Sequence, residues 1–424
     1  MDIINNDDKK NIIIFVSQNL LVGGIETYVY KLAKEVQKKG WQIIWIKRFP
    51  GYLDESFSDV FESDSTLVWD NAYDYEKLRE LTADSNAEIR IITFDICRFA
   101  QAEIFKSNFK ECRVHNFYFV PHFAGDTLYL EEPYKGKKRE KVRKKMSDIV
   151  KKMHNGNNIR YFSIKHIDKM TSEYGYREDN MNYVMVPPLD SGNVSFDRKR
   201  CMELATSGRF NILTVSRFEF PHKGYVLGLI KAYAELKNKY PHIELTIVGY
   251  GVDESKVHEA LNSLSENYKK DVHFIGKVHP EKLVDYYNDA NINISVAGCC
   301  SQGAKNGTLS IPARHYDYNC EVYGFLPESK PFVVSEKKGE PVIDYIEQVI
   351  NMSPDEYCKK CEMAFHSFRS DSESLRVKIE DLEDKSENII LSDKDIRFIK
   401  KEEKRRVIRG KLRSLKRKLT KRAD

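Results

Sequence analysis

Two successive series of short apolar runs, each interleaved with helical patterns, constrain this chain more than any other feature. The first series reads "NIIIFVS", "WQIIWIK", "EIRIITF", "VHNFYFV", "IRYFSI" and "NYVMVP", with the helical "ETYVYKLAKEVQKKG" after its first member. The second reads "FNILTVS", "HIELTIVG", "DVHFIG", "NINISVA" and "PFVVSE", separated by segments such as "VLGLIKAYAELKNKY" and "EKLVDYYNDA". Most of these runs are β-rich and lack polar alternation, the pattern of strands buried on both faces of a parallel sheet. Two such blocks predict an α/β protein with two doubly wound, Rossmann-like domains. A length of 424 residues fits two cores better than one. The polar stretch "DSGNVSFDRKRCMELATSGR" reads as the linker, giving domains over 1–190 and 191–390 and a basic helical tail over 391–424. Ligands of such sheets bind beyond the carboxyl ends of the strands, so two facing sheets predict a central cleft.

The strand-end loops are therefore where chemistry is expected. Gly23 and Gly24 follow the first strand and open a helix, where close backbone approach and free N–H groups favour an anion. Arg217 and Lys223 bracket "RFEFPHK" after the first strand of the second series. A guanidinium fork and an ammonium point charge together suit a diphosphate; two solvated loop cations are the plainer reading of the same spacing. Gly249 and Gly251 end the next strand, and Gly298, Gly303 and Gly307 lie in "GCCSQGAKNGTLS", a loop whose backbone amides could cradle phosphate.

Taken in order, these segments resemble a GT-B glycosyltransferase of glycosyltransferase family 4, over most of residues 12–370. The resemblance is carried by "LLVGGIETYVYKLAKEVQKKGW", "VMVPPLD", "TVSRFEFPHKG", "ELTIVGYG", "VHFIGKV" and "LVDYYNDANINISVA". It implies that the second domain binds a nucleotide-diphosphate sugar, that the first binds the acceptor, and that Arg217 and Lys223 neutralise the donor diphosphate. It also implies that transfer retains the anomeric configuration. The donor is a substrate, and no cofactor is expected. The family usually carries two glutamates eight positions apart in a strand-end loop; here Gln302 and Ser310 take that spacing. An amide and a hydroxyl can hydrogen-bond a sugar and a ribose but carry no charge. His122, ending "FYFVPH", matches a histidine that family members often place at the donor sugar, and is also readable as structural. Asp95, ending "RIITFD", is a weaker cleft candidate, and Glu321 reads as structural or supporting.

Two cations and helix-terminal amides can stabilise the charge that grows on a departing diphosphate without a metal. No Asp-X-Asp follows any of the apolar runs quoted above, so metal-independent transfer is expected. Of the eight cysteines Cys299 and Cys300 are adjacent and the others scattered; Cys358 and Cys361 form one CxxC without a second pair to complete a zinc site, so reduced thiols are expected.

Charge is distributed unevenly. Residues 397–424 hold fourteen Lys or Arg against three acidic residues, a net of +11, which leaves −6 for the rest of a chain whose total is +5. Residues 135–154 hold ten Lys or Arg against two acidic residues, with Val142, Met146, Ile149 and Met153 at helical spacing; Ile408, Leu412, Leu415 and Leu419 repeat this in the tail. Basic amphipathic helices suit an anionic membrane surface; stripes packed on the protein with solvated charges are the plainer alternative. No RNA-recognition module is evident and nucleic acid is not expected as a partner. No apolar run reaches the roughly 18 residues a spanning helix needs, and the start, "MDIINNDDKK", is unlike a signal peptide. The expectation is a cytoplasmic enzyme, peripheral on the inner membrane face, transferring sugar to a glycan or lipid-linked acceptor. A catalytically weak binding partner of another transferase is the main alternative, and soluble sucrose- or trehalose-type synthesis a further one.

Overall fold

The computed structural model describes residues 11–17, 19–21, 23–47, 51–61, 66–68, 78, 80, 87–106, 112–120, 130, 134–161, 174, 195–329, 338–374 and 391–420. His122 and the segment "VMVPPLD" lie outside the described residues. The chain divides into two compact units, 1–187 with 375–424, and 188–374.

The first unit is built on strands β1 (Asn11–Ser17), β2 (Gln42–Lys47), β3 (Thr66–Val68), β4 (Glu88–Thr93), β5 (Arg113–Val120) and β6 (Ile159–Tyr161), in the order β3-β2-β1-β4-β5-β6. All described pairings are parallel. Helices α1 (Gly24–Lys38), α2 (Ile96–Lys106) and α3 (Gly136–Asn155) connect them. In β1, Ile12 to Val16 are all buried, which is why the run lacks polar alternation. Alternate residues feed different cores: Ile13 and Phe15 pack with α1, Ile12, Ile14 and Val16 with Ala102 and Phe105 of α2.

The second unit contains α4 (Arg198–Thr206), β7 (Phe210–Arg217), α5 (Tyr225–Lys239), β8 (Ile243–Tyr250), α6 (Glu254–Asn262), α7 (Glu266–Lys269), β9 (Val272–Gly276), α8 (Leu283–Asp289), β10 (Ile292–Ser295), α9 (Ala297–Lys305), β11 (Leu309–Pro312), the short pair β12 (Glu321–Val322) and β13 (Glu340–Pro341), α10 (Val342–Ile350) and α11 (Pro354–Ser374). Its parallel sheet has the order β11-β10-β7-β8-β9. The polar stretch read as a linker is helical in part: Asp197 caps α4, accepting the Arg200 N–H at 3.0 Å, and Cys201 is buried against the core.

The last helix, α12 (Asp393–Thr420), belongs to the first unit. Ile399 is buried in the cluster that holds α2 and α3, with Ile396 and Phe398 packed against it. The buried Asp395 carboxylate accepts from Lys145 and Lys152 of α3, each at 2.7 Å, and Arg98 of α2 pairs with Glu403. Burial alone would raise the Asp395 carboxyl, but bonds from Lys145, Lys152 and Ser392 outweigh it and hold the group well below the usual carboxylate range.

This packing corrects the membrane-facing reading of residues 135–154. Val142, Met146, Ile149 and Met153 are the buried face of α3, at most 5% exposed, because the stripe is the only apolar surface with which this highly charged helix can join the core. Lys145 and Lys152 turn to Asp395, while Lys137, Lys138, Lys141 and Lys144 lie on the exposed side. Among the described residues no helix is long and apolar enough to cross a membrane.

Candidate functional site

In both sheets one strand has later strands on either side, and such reversals of strand order open a crevice at the carboxyl ends. In the second unit that strand is β7, flanked by β8 and β10. Its pairing with β8 runs all the way to Arg217↔Tyr250, whereas its pairing with β10 covers only Ile212↔Ile292 and Leu213↔Asn293. Farther along, the Ser295 hydroxyl replaces a main-chain partner and accepts from Val215 N–H at 3.0 Å. The ends of β7 and β10 thus part, and the β7–α5 and β10–α9 connections flank the opening.

Arg217 stands at the last position of β7, with its side chain 41% exposed and its Nη2 2.8 Å from Glu219 Oε2. The chain then turns tightly: Lys223 N–H donates to Glu219 C=O at 3.0 Å, and Phe220 N–H donates to Asp253 Oδ2 at 2.7 Å. These bonds bring Lys223 back beside Arg217. Its ammonium is pushed below the usual lysine range, first by burial and then by Arg217, against opposing influences from Cys299 and Glu219. Among the described residues no acidic side chain forms an ion pair with it. Cys299 lies in the first turn of α9, whose N-terminus has no side-chain cap. The start of that helix, which no side chain caps, and two cations meet at the same crevice, an arrangement suited to a multiply charged anion.

Behind this opening a polar network fixes the first turn of α9. Asn293 Nδ2 donates to Cys299 C=O at 3.1 Å and to Ser310 Oγ at 3.2 Å, and Tyr287 O–H donates to Cys299 C=O at 3.0 Å. Ser295 Oγ donates to Asn293 Oδ1 at 2.7 Å. This placement corrects the expectation for Ser310. It sits inside β11, fully buried, its hydroxyl committed to Thr308 C=O and Asn293, and cannot reach a ribose. Gly303 is corrected as well: a Cβ there would come within 2.4 Å of Asn293 Nδ2 and Ser310 Oγ, so the glycine permits helix–strand packing and does not face a phosphate. Gly249 is explained in the same way, since a Cβ would fall 1.9 Å from Ser216 C=O on the neighbouring strand. Gln302 is on α9 and not in a strand-end loop shared with Ser310; its Oε1 is buried and has no hydrogen-bond partner among the described residues.

In the first unit Gly23 caps α1 with extended backbone, and Glu26 lies in the first turn. They follow β1, the reversal strand of that sheet. A Cβ on Gly24 would meet nothing within 4 Å, so space is open over that helix start. Asp95, just beyond β4, is a helix cap: it accepts the backbone N–H of Arg98 at 2.9 Å and stays near that residue's guanidinium, at 3.5 Å. Glu321 bonds to Arg314 and accepts Gly339 N–H at 2.9 Å, a tie that holds β12 against β13.

Two residues near the opening escaped sequence reasoning. His222, inside the quoted Arg-to-Lys segment, and His315, beyond β11, approach to 2.8 Å between Nε2 and Nδ1. The signal for His222 was its place beside Lys223; His315 carries none, because only the fold returns it there.

Comparison with known proteins agrees with this geometry. Residues 197–299 match the model of the family "Glycosyl transferases group 1". Among solved structures, HepE from Anabaena in complex with UDP superposes with a TM-score of 0.53 at 12% identity, covering 85% of this chain and 95% of that one. An α,α-trehalose-phosphate synthase (UDP-forming) from Burkholderia xenovorans in complex with glucose-6-phosphate gives a TM-score of 0.48 at 11% identity, covering 85% and 96%. No curated protein matches by sequence. With two parallel Rossmann-like sheets and the HepE superposition, the chain has a GT-B fold, and its stretch from α4 to the start of α9 is similar to the group 1 glycosyl transferases.

Proposed function

We propose that the chain transfers a sugar from a nucleotide-diphosphate sugar to a glycan or lipid-linked acceptor in the making of a cell-surface polysaccharide or glycoconjugate. The observation that carries this reading is the meeting of Arg217 and Lys223 with the uncapped start of α9 at the strand-order reversal. Breaking the bond to the anomeric carbon leaves its electron pair on the diphosphate. Two fixed cations and helix amides favour that charge more in the transition state than in the bound donor. The reaction is metal-independent and retaining in this proposal, of the type found in glycosyltransferase family 4, with His122 at the donor sugar and Gln302 as an uncharged donor contact. The enzyme is cytoplasmic and peripheral, with the outer part of α12 on the inner membrane face.

Thermal stabilisation by UDP-, GDP- and ADP-sugars tests donor binding, and product analysis with a lipid-linked acceptor, with and without EDTA, tests transfer. A donor-specific rise in melting temperature with EDTA-resistant transfer is the expected result. Donor binding without transfer or hydrolysis would favour the second reading, a weak GT-B protein that serves another transferase. That reading is supported by the neutral Gln302 and by the burial of Ser310.

A further inference from the structure

Around the opening of the second unit the carboxylates of Asp253, Asp317 and Glu321 are committed to the frame. Asp253 accepts Phe220 N–H at 2.7 Å and pairs with Lys256, also at 2.7 Å. Glu321 pairs with Arg314 and accepts Gly339 N–H, and Asp317 accepts Glu321 N–H at 2.7 Å. Glu219 is placed differently. Its Oε2 lies 2.8 Å from Nη2 of Arg217, and its charge acts on Lys223 as well, so one carboxylate serves both cations of the crevice.

The turn does not depend on that side chain. Glu219 contributes its C=O to Lys223 N–H at 3.0 Å, and Asp253 holds Phe220 from the next connection, so main-chain groups and Asp253 fix the path of the chain. The Arg217–Glu219 bond spans two positions at the surface, with side chains 41% and 48% exposed. Water can take either partner, and ion pairs of this kind hold weakly. Such a bond opens readily.

A diphosphate and the Glu219 carboxylate seek the same donors. The guanidinium offers five N–H groups in a planar fork, but an oxyanion approaching its Nη2 edge meets a carboxylate oxygen already bonded there, and the like charges repel. Arg217 and Lys223 present two positive charges, which Glu219 reduces to a net of one. In the proposed reaction a nucleoside diphosphate must also leave after each transfer, and two uncompensated cations would hold it. We propose that Glu219 is an internal counter-anion of the diphosphate site: it competes with the diphosphate for Arg217, pairs again with that guanidinium as the product nucleoside diphosphate departs, and keeps affinity below what the two cations alone would give. Glu219 acts through Arg217 and is not itself a catalytic residue. This inference rests on the diphosphate site proposed above and adds the residue that limits its grip.

The test is calorimetric titration of the full chain with UDP, GDP, ADP and inorganic pyrophosphate at low and high salt. Glu219→Gln keeps the length of the side chain and removes its charge. Glu254→Gln is the control, since that carboxylate approaches His258 instead. Arg217→Ala is measured with and without Glu219→Gln. The expected result is binding about two- to tenfold tighter in Glu219→Gln at low salt, a gain that shrinks at high salt. Glu254→Gln should bind as wild type does, and in the Arg217→Ala background the gain from Glu219→Gln should largely vanish. A turn damaged by the substitution would weaken binding, so tightening separates this role from a structural one. Affinity unchanged or weakened in Glu219→Gln overturns the proposal, a loss meaning that the carboxylate orients Arg217 toward the anion. Equal tightening in Glu254→Gln, or a gain that persists undiminished without Arg217, overturns it too, and both leave the diphosphate site standing. Failure of every probe to bind wild type overturns the site, and the proposal with it.

Discussion

The carboxylate of Asp395 meets the ammonium of Lys145 at 2.7 Å across 250 positions of sequence. That bond, with its twin from Lys152, makes the start of α12 a structural part of the first unit. The basic tail is therefore two things in succession: a docked segment through Ile399, Glu402 and Glu403, then an outward one where Val407, Ile408 and Leu412 are 43%, 49% and 59% exposed.

Asp395→Asn should destabilise the first unit by about 1–3 kcal/mol, because two cations lose their shared anion while remaining partly hydrated. The stabilisation is linked to pH. With the folded carboxyl held below its unfolded value, it is fully present above about pH 4 and fades as pH falls toward the folded value. Chemical denaturation at neutral and acid pH, wild type against variant, checks both. A variant as stable as wild type at neutral pH would rule out this anchor.

Arg217→Ala and Lys223→Ala should each weaken nucleoside-diphosphate binding by about 1.5–3 kcal/mol, the usual cost of losing a charge-assisted bond. Arg217 is 41% exposed, and removing the buried Lys223 ammonium relieves a desolvation cost, so melting temperature should fall little in either variant. Titration with UDP, GDP and ADP measures this, and affinities unchanged in both variants would remove the site.

Ser310→Ala should leave donor affinity as it is and cost about 1–3 kcal/mol of stability, since Asn293 loses a buried partner. Gln302→Glu, in contrast, should alter donor binding without unfolding the protein. Paired binding and melting measurements separate the two positions; a donor affinity that falls with Ser310→Ala would reverse this assignment.

Deleting residues 407–424 should release the protein from anionic vesicles, while a cut before Leu391 should also destabilise the first unit by removing Leu391 and Ile399 from its core. Each Lys or Arg near such a surface contributes about 1 kcal/mol at most, and salt screens much of it. Co-sedimentation with anionic and neutral vesicles at low and high salt is the measurement. Equal pelleting of the full chain and the 407–424 deletion would exclude the outer part of α12 as the attachment.

The sequence by itself determined the two parallel sheets, because strands buried on both faces must be apolar throughout and "NIIIFVS" and "FNILTVS" are. It also determined that Arg217 and Lys223 sit at a strand end, since the apolar run stops there and the Arg-to-Lys turn is local. Tertiary structure decided the rest. The stripes of α3 and α12 have the same basic amphipathic pattern, yet one is buried while Ile408 and Leu412 of the other are exposed; periodicity records that a face is apolar and not what covers it. Gln302 and Ser310 have a spacing that suggests a shared loop, but a helix-to-strand turn intervenes and buries the serine. His315 joins His222 only because the chain beyond β11 returns to the start of α5, and a contact made across 93 positions leaves no local pattern to read.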